Sequence, residues 1–125
     1  MKDVLHARRV LILEDEVIIA LDLAESLTLD GFSVVGPYHD TASALAGLEA
    51  APPPNWAILD VNLGNGKTSD AVAERLMAWR VPILFLTGYE VSGSSTLERF
   101  PDADKLPKPM EYRQVQDWLA RRVNR

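Results

Sequence analysis

Three runs of this chain, Val10-Leu11-Ile12-Leu13, Trp56-Ala57-Ile58-Leu59 and Ile83-Leu84-Phe85-Leu86, carry no polar residue on either face of an extended backbone. A strand that is apolar on both sides must be covered on both sides, which is the condition of a strand inside a parallel sheet. The borders are sharp. Pro52-Pro53-Pro54-Asn55 precedes the second run, Asn62-Leu63-Gly64-Asn65-Gly66 follows it, and Val81-Pro82 opens the third, where proline is tolerated only at a strand's start.

Between these runs the pattern turns helical. From Glu16 to Asp30 the residues Val17, Ala20, Leu21, Ala24 and Leu27 fall on one stripe, and Gly31 stands where such a helix ends. Phe32-Ser33-Val34-Val35 alternates as a half-exposed edge strand does, before a turn at Gly36-Pro37. Asp40 or Thr41 caps a second helix with Ala42, Leu45 and Leu48 inward, and Thr68 or Ser69 caps a third carrying Val72, Leu76 and Trp79. Trp56, Trp79 and Trp118 read as packing residues. Ser94 to Phe100 supports at best a short or irregular fourth helix, Lys105-Leu106 a minimal fifth strand, and Glu111 to Arg122 a last helix that buries Val115, Trp118 and Leu119.

Strand and helix alternating five times predict an α/β fold, a doubly wound five-stranded parallel sheet with right-handed crossovers and helices on both faces. With strand order 2-1-3-4-5, the flavodoxin-like arrangement, a crevice opens where the first and third strands lie side by side. One domain is expected over residues 1–125, with its core at about 8–123 and no output domain. The net charge of −5 argues against nucleic acid, and Arg121, Arg122 and Arg125 suit a helix carboxyl terminus. There is no cysteine, and no apolar run approaches the length that crosses a bilayer, so a cytoplasmic protein with no membrane partner is expected. His6 and His39 are isolated and read as surface residues.

A parallel sheet brings every strand's carboxyl end to one edge. That edge gathers Glu14 and Asp15 after the first strand, Asp60 after the third, Thr87 after the fourth and Lys108 just past the fifth. Carboxylates forced together repel by about 4 kcal/mol per pair at 4 Å and an effective dielectric near 20. A divalent cation offsets this, and oxygen-only donors favour a hard ion such as Mg²⁺. A Mg²⁺ site beside a carboxylate, a hydroxyl and an ammonium is a set of parts for moving a phosphoryl group onto Asp60. Gly64-Asn65-Gly66-Lys67-Thr68 lies between a strand and a helix as a P-loop does, but that pattern needs glycine at Val61. A flavodoxin-like cofactor protein needs a phosphate cradle where Glu14-Asp15-Glu16 would repel phosphate.

Leu13-Glu14-Asp15-Glu16, Leu59-Asp60-Val61-Asn62-Leu63, Leu86-Thr87-Gly88-Tyr89 and Lys108-Pro109 resemble, in order and spacing, the four signature sites of the response-regulator receiver domain of the chemotaxis-receiver type. Phe85-Leu86-Thr87-Gly88-Tyr89 also resembles single-domain receivers of alphaproteobacteria with a Phe-x-Thr-Gly-Tyr motif. The resemblance implies that Asp60 is the phosphoacceptor, that Asp15 and Asp60 bind Mg²⁺ with the Asn62 carbonyl, and that Glu14 holds metal-bound water. It implies that Thr87 and Lys108 contact the phosphoryl oxygens and that Lys108-Pro109 is cis. The implied function is a phosphoryl-accepting receiver of a two-component or phosphorelay system, not a turnover enzyme. Its phosphate would come from a histidine kinase or histidine phosphotransfer protein, and its output would pass by protein contact. The competing reading is a receiver-like adaptor that binds partners without phosphorylation. Two departures stand out: Glu14 replaces the commoner aspartate, and Lys105 occupies the place of the family's switch aromatic. With few apolar residues to hold it, the stretch between Thr87 and Pro101, with Tyr89, is expected to become ordered on phosphorylation in that aromatic's stead.

Overall fold

The apolar runs form the centre of the sheet. In the computed structural model, which describes residues 8–88 and 95–123, β1 (Arg9–Leu13), β3 (Trp56–Asp60) and β4 (Ile83–Thr87) are buried along almost their whole length. β2 (Ser33–Tyr38) and β5 (Asp104–Pro107) are the edges, and the order is β2-β1-β3-β4-β5 with every pair parallel. This is the predicted doubly wound arrangement. Side chains along each central strand alternate between two layers, as an extended backbone demands. Leu11, Leu13, Leu59 and Phe85 pack with α2 (Thr41–Ala50) and α3 (Asp70–Ala78). Val10, Ile12, Ile58 and Leu84 pack with α1 (Val17–Leu29) and α5 (Tyr112–Val123). The fourth helix, α4 (Ser95–Arg99), is one short turn, as its composition predicts. Among the described residues no helix is long and apolar enough to cross a membrane.

Four local expectations change. On α1 the buried residues are Ala20, Leu23 and Leu27, while Val17 and Leu21 are about half exposed. Ala20, Ala24 and Leu27 of the expected stripe do face the core; with Val, Ile and Leu around much of the helix, the position of the sheet decides how far to either side of them the covered face extends. On α2 Ala44 and Leu48 are inward and Ala42 is exposed. Trp79 is not core: it stands at the C-cap of α3, where the chain turns away, and its ring lies partly exposed beside the Arg75 guanidinium.

Gly36-Pro37 does not end β2. The strand runs on to Tyr38, and an irregularity in the β1 pairing, from Leu11↔Val35 to Leu13↔Tyr38, absorbs one extra residue. Proline is tolerated because β2 is an edge strand and no outer neighbour asks for its N–H. Gly36 has φ +102°, and a Cβ there would stand 2.7 Å from the Tyr38 amide nitrogen, so only glycine fits. The Gly36-Pro37 and Lys108-Pro109 bonds are cis, the second as the resemblance implies. The expectations for His6, Tyr89 and Arg125 lie outside the described residues.

Candidate functional site

Parallel pairing places the strand tips level with one another: Leu13 opposite Leu59, Asp60 opposite Leu86, and Thr87 opposite Pro107. The residue after each tip therefore meets its neighbours above the same edge. Glu14 continues the ladder, its amide donating to the Tyr38 carbonyl at 2.9 Å, and is fully buried. Asp60, the last residue of the central strand, is 3% exposed. The Lys108 amide donates to the Thr87 carbonyl at 2.7 Å, which extends the β4–β5 ladder and fixes where the lysine side chain begins.

From there the ammonium reaches back over the acids. Lys108 Nζ donates to Asp60 Oδ2 at 2.8 Å and lies 2.9 Å from Glu14 Oε1 and 3.8 Å from Glu16 Oε2. Glu14 Oε1 sits off the hydrogen-bonding direction, so its link to the ammonium is charge proximity more than a directed bond. Glu14 Oε2 accepts from the Glu16 amide at 3.0 Å, and Asp60 Oδ1 accepts from the Asn62 amide at 3.3 Å. Glu14, Asp15 and Asp60 each present an oxygen, and these three oxygens lie within 4.8 Å of one another.

One ammonium does not neutralise three carboxylates, and the titration of the site reflects it. Burial, opposed by Lys108, pushes the Glu14 carboxyl up to about 8. Asp60 is also raised by burial, with hydrogen bonding to Lys108 and Glu14 opposing the rise. Burial alone would lower Lys108, but its pairing with Asp60 and Glu14 holds it above the ordinary lysine value.

The acids open into a groove of about 580 Å³ that runs between α1 and α5. Asp15, Asp60, Asn62, Gly64, Gly88 and Lys108 line its charged end, and Ile19, Leu23, Met110 and Tyr112 its apolar end. Thr87 is brought to the same edge but does not line the groove, and its hydroxyl points to the Leu106 carbonyl at 3.4 Å. The apolar end was not foreseen from sequence, because α1 and α5 are 82 residues apart where Tyr112 donates to Asp30 at 2.8 Å. Gly64 is a second addition: it lines the groove beside Asp15 with φ +85°, a backbone conformation that favours glycine. Its signal was the Gly-Asn-Gly run, whose three residues all have positive φ.

No protein-family model matches the chain. It is 38% identical over 96 residues to the transcriptional regulatory protein PdtaR of Mycobacterium tuberculosis, which covers 77% of this chain and 45% of that protein. The chain thus spans less than half the length of this curated relative. The solution structure of SdrG from Sphingomonas melonis Fr1 is 38% identical, covering 90% of this chain and 92% of that one with a TM-score of 0.73. A response regulator receiver protein from Sinorhizobium medicae, 24% identical over 93% of this chain and 94% of its own with a TM-score of 0.74, shares the fold. With a relative at this identity over nearly its full length and a sheet that gathers the acids and the lysine above one edge, the chain belongs to the response-regulator receiver family of two-component signalling.

Proposed function

We propose that this protein is a phosphoryl-accepting switch and that Asp60 is the acceptor. The observation that carries the reading is Asp60 itself, a carboxylate 3% exposed at the tip of the central strand, with Lys108 on one oxygen at 2.8 Å and the Asn62 amide on the other. The donor is a phosphorylated histidine on a kinase or phosphotransfer protein. An Asp60 oxygen attacks phosphorus and the P–O bond forms as the P–N bond breaks; the electron pair stays on the donor ring nitrogen, and because the ring's other nitrogen is protonated the imidazole leaves neutral. Lys108 follows the charge from the carboxylate to the phosphoryl oxygens, and the Thr87 hydroxyl turns from Leu106 to donate to one of them. Val17, Ile18 and Leu21, exposed on α1 beside the groove, offer a protein donor an apolar contact.

The donor set fits a hard divalent cation: three carboxylates with oxygens within 4.8 Å of one another, no sulfur, and one ammonium for compensation. Asp15 and Asp60 would hold Mg²⁺ directly, with the Asn62 carbonyl, and Glu14 through water. When bound, Mg²⁺ supplies positive charge to the phosphoryl oxygens that Lys108 alone does not neutralise. The test is incubation with acetyl phosphate, or with a phosphorylated kinase, and Mg²⁺. Base-labile label is expected on the parent and absent from Asp60→Asn. Equal labelling of Asp60→Asn would reject the assignment, and an unlabelled parent that still binds its partner would favour the adaptor reading.

A further inference from the structure

Thr96 is a fully buried polar residue in a helix of five, and its hydroxyl donates to Asp70 Oδ1 at the start of α3. Three residues on, Arg99 donates to Asp70 Oδ2 at 2.9 Å and pairs with Glu74 of α3. One carboxylate therefore grips α4 at both ends of its single turn. An apolar contact completes the hold where Phe100 rests on Phe85 of β4, their ring centroids 6.0 Å apart.

Asp70 is tied to the acid pocket by a short, cross-linked loop. The Asn62 amide donates to Asp60 Oδ1, Asn62 and Thr68 form an antiparallel bridge, and the Ser69 amide donates to the Val61 carbonyl at 3.3 Å. The Asp70 amide in turn donates to Thr68 Oγ1 at 3.4 Å. The loop's entry and exit are bound to each other, so a displacement at Asn62 is passed to Asp70. On β5, Lys105 is exposed to solvent.

The geometry points to Asp70 as a conformational latch that carries the state of Asp60 to α4. This rests on Asp60 being the phosphoacceptor. Each Asp60 oxygen already has a partner, so a new P–O bond displaces one of them. At Oδ1 it releases the Asn62 amide; at Oδ2 it draws Lys108 away and sets phosphoryl charge beside that amide. Either change favours a different position of the Asn62–Thr68 bridge, which is the differential interaction a switch requires. The latch is closed with Asp60 unmodified, so modification opens it and frees α4. At residues 95–99 this is opposite in sign to the ordering expected from sequence for the segment as a whole.

Amide exchange of the full chain in Mg²⁺, with and without beryllofluoride as the phosphoryl mimic, tests the latch, with acetyl phosphate labelling run in parallel. In the parent, exchange at 95–99 should quicken by about fivefold, the low end of ordinary coupling between sites. In Asp70→Asn and in Thr96→Val it should be fast from the outset and change less than about twofold on adding the mimic. Thr96→Ser, which keeps the hydroxyl, should behave as the parent. All variants should take label at Asp60 and keep slow exchange over β1 and β3, which reports an intact fold. A parent-sized response in Asp70→Asn, no rescue by Thr96→Ser, or a labelled parent with no change at 95–99 overturns the latch alone. A parent that takes no label removes the phosphoacceptor reading and the latch with it.

Discussion

Arg80 has a φ of 60°, one of two non-glycine residues in the left-handed region among those described. It stands just past α3, where its amide closes on Met77 at 2.9 Å and the Val81 amide on Leu76 at 2.9 Å, the double closure that ordinarily selects glycine. A side chain in that conformation costs about 1–2 kcal/mol, and glycine returns part of the gain through a freer unfolded chain. Arg80→Gly should therefore stabilise the protein by about 0.5–1 kcal/mol, read as a higher urea midpoint at unchanged slope. A lower midpoint would mean that the arginine side chain holds something the turn needs. Asp60 was legible as a residue because a charged group directly at the end of an apolar run has few structural uses, and Lys108 through the Lys108-Pro109 pair that carries the resemblance. Glu14 was legible as a member of the site, but not as its most buried acid, since burial depends on what closes over it.

At the scale of elements, the joint between α3 and α4 has a titration signature. Burial pushes the Asp70 carboxyl up, but the Thr96 hydroxyl and the Arg99 guanidinium outweigh it and leave it below the ordinary carboxylate value. A carboxyl depressed on folding adds stability that is complete above its unfolded value, about 3.9, and is lost as pH falls through the lower folded value. Asp70→Asn should cost about 1.5–3 kcal/mol at neutral pH, the range for hydrogen bonds to a charged group. The gap between parent and variant should then shrink as pH drops below about 4. Urea unfolding at a series of pH values measures it, and a gap that does not vary with pH would place the stabilisation in packing rather than charge. Elements themselves were legible wherever one period dominated. α1 shows where this stops: Ala20, Ala24 and Leu27 of the expected stripe face the core, but Leu23 joins them in place of Val17 and Leu21, a rotation of the covered face that helical spacing leaves open.

For the whole molecule the acids are a liability that folding creates, since Glu14, Asp15 and Asp60 come together only when β1 and β3 pair. A cation that binds the folded site and not the unfolded chain should stabilise by mass action, about 1.4 kcal/mol at tenfold its dissociation constant. Melting temperature should rise with Mg²⁺ in the parent. In Asp15→Ala it should start higher, with one repulsion removed, and rise far less on adding Mg²⁺; an equal rise in both would place the cation elsewhere. The sequence by itself determined the parallel sheet and the edge on which the charged residues stand. These follow from short-range physics: apolar runs that need cover on both faces, breakers between them, and the handedness of crossovers. Tertiary structure decided which face of α1 is covered, that β2 continues through Gly36-Pro37, that the groove reaches Tyr112, and that one carboxylate on α3 holds α4. Each of these is a contact between residues far apart in the chain, where local period and propensity leave several partners equally acceptable and only the packed sheet selects one.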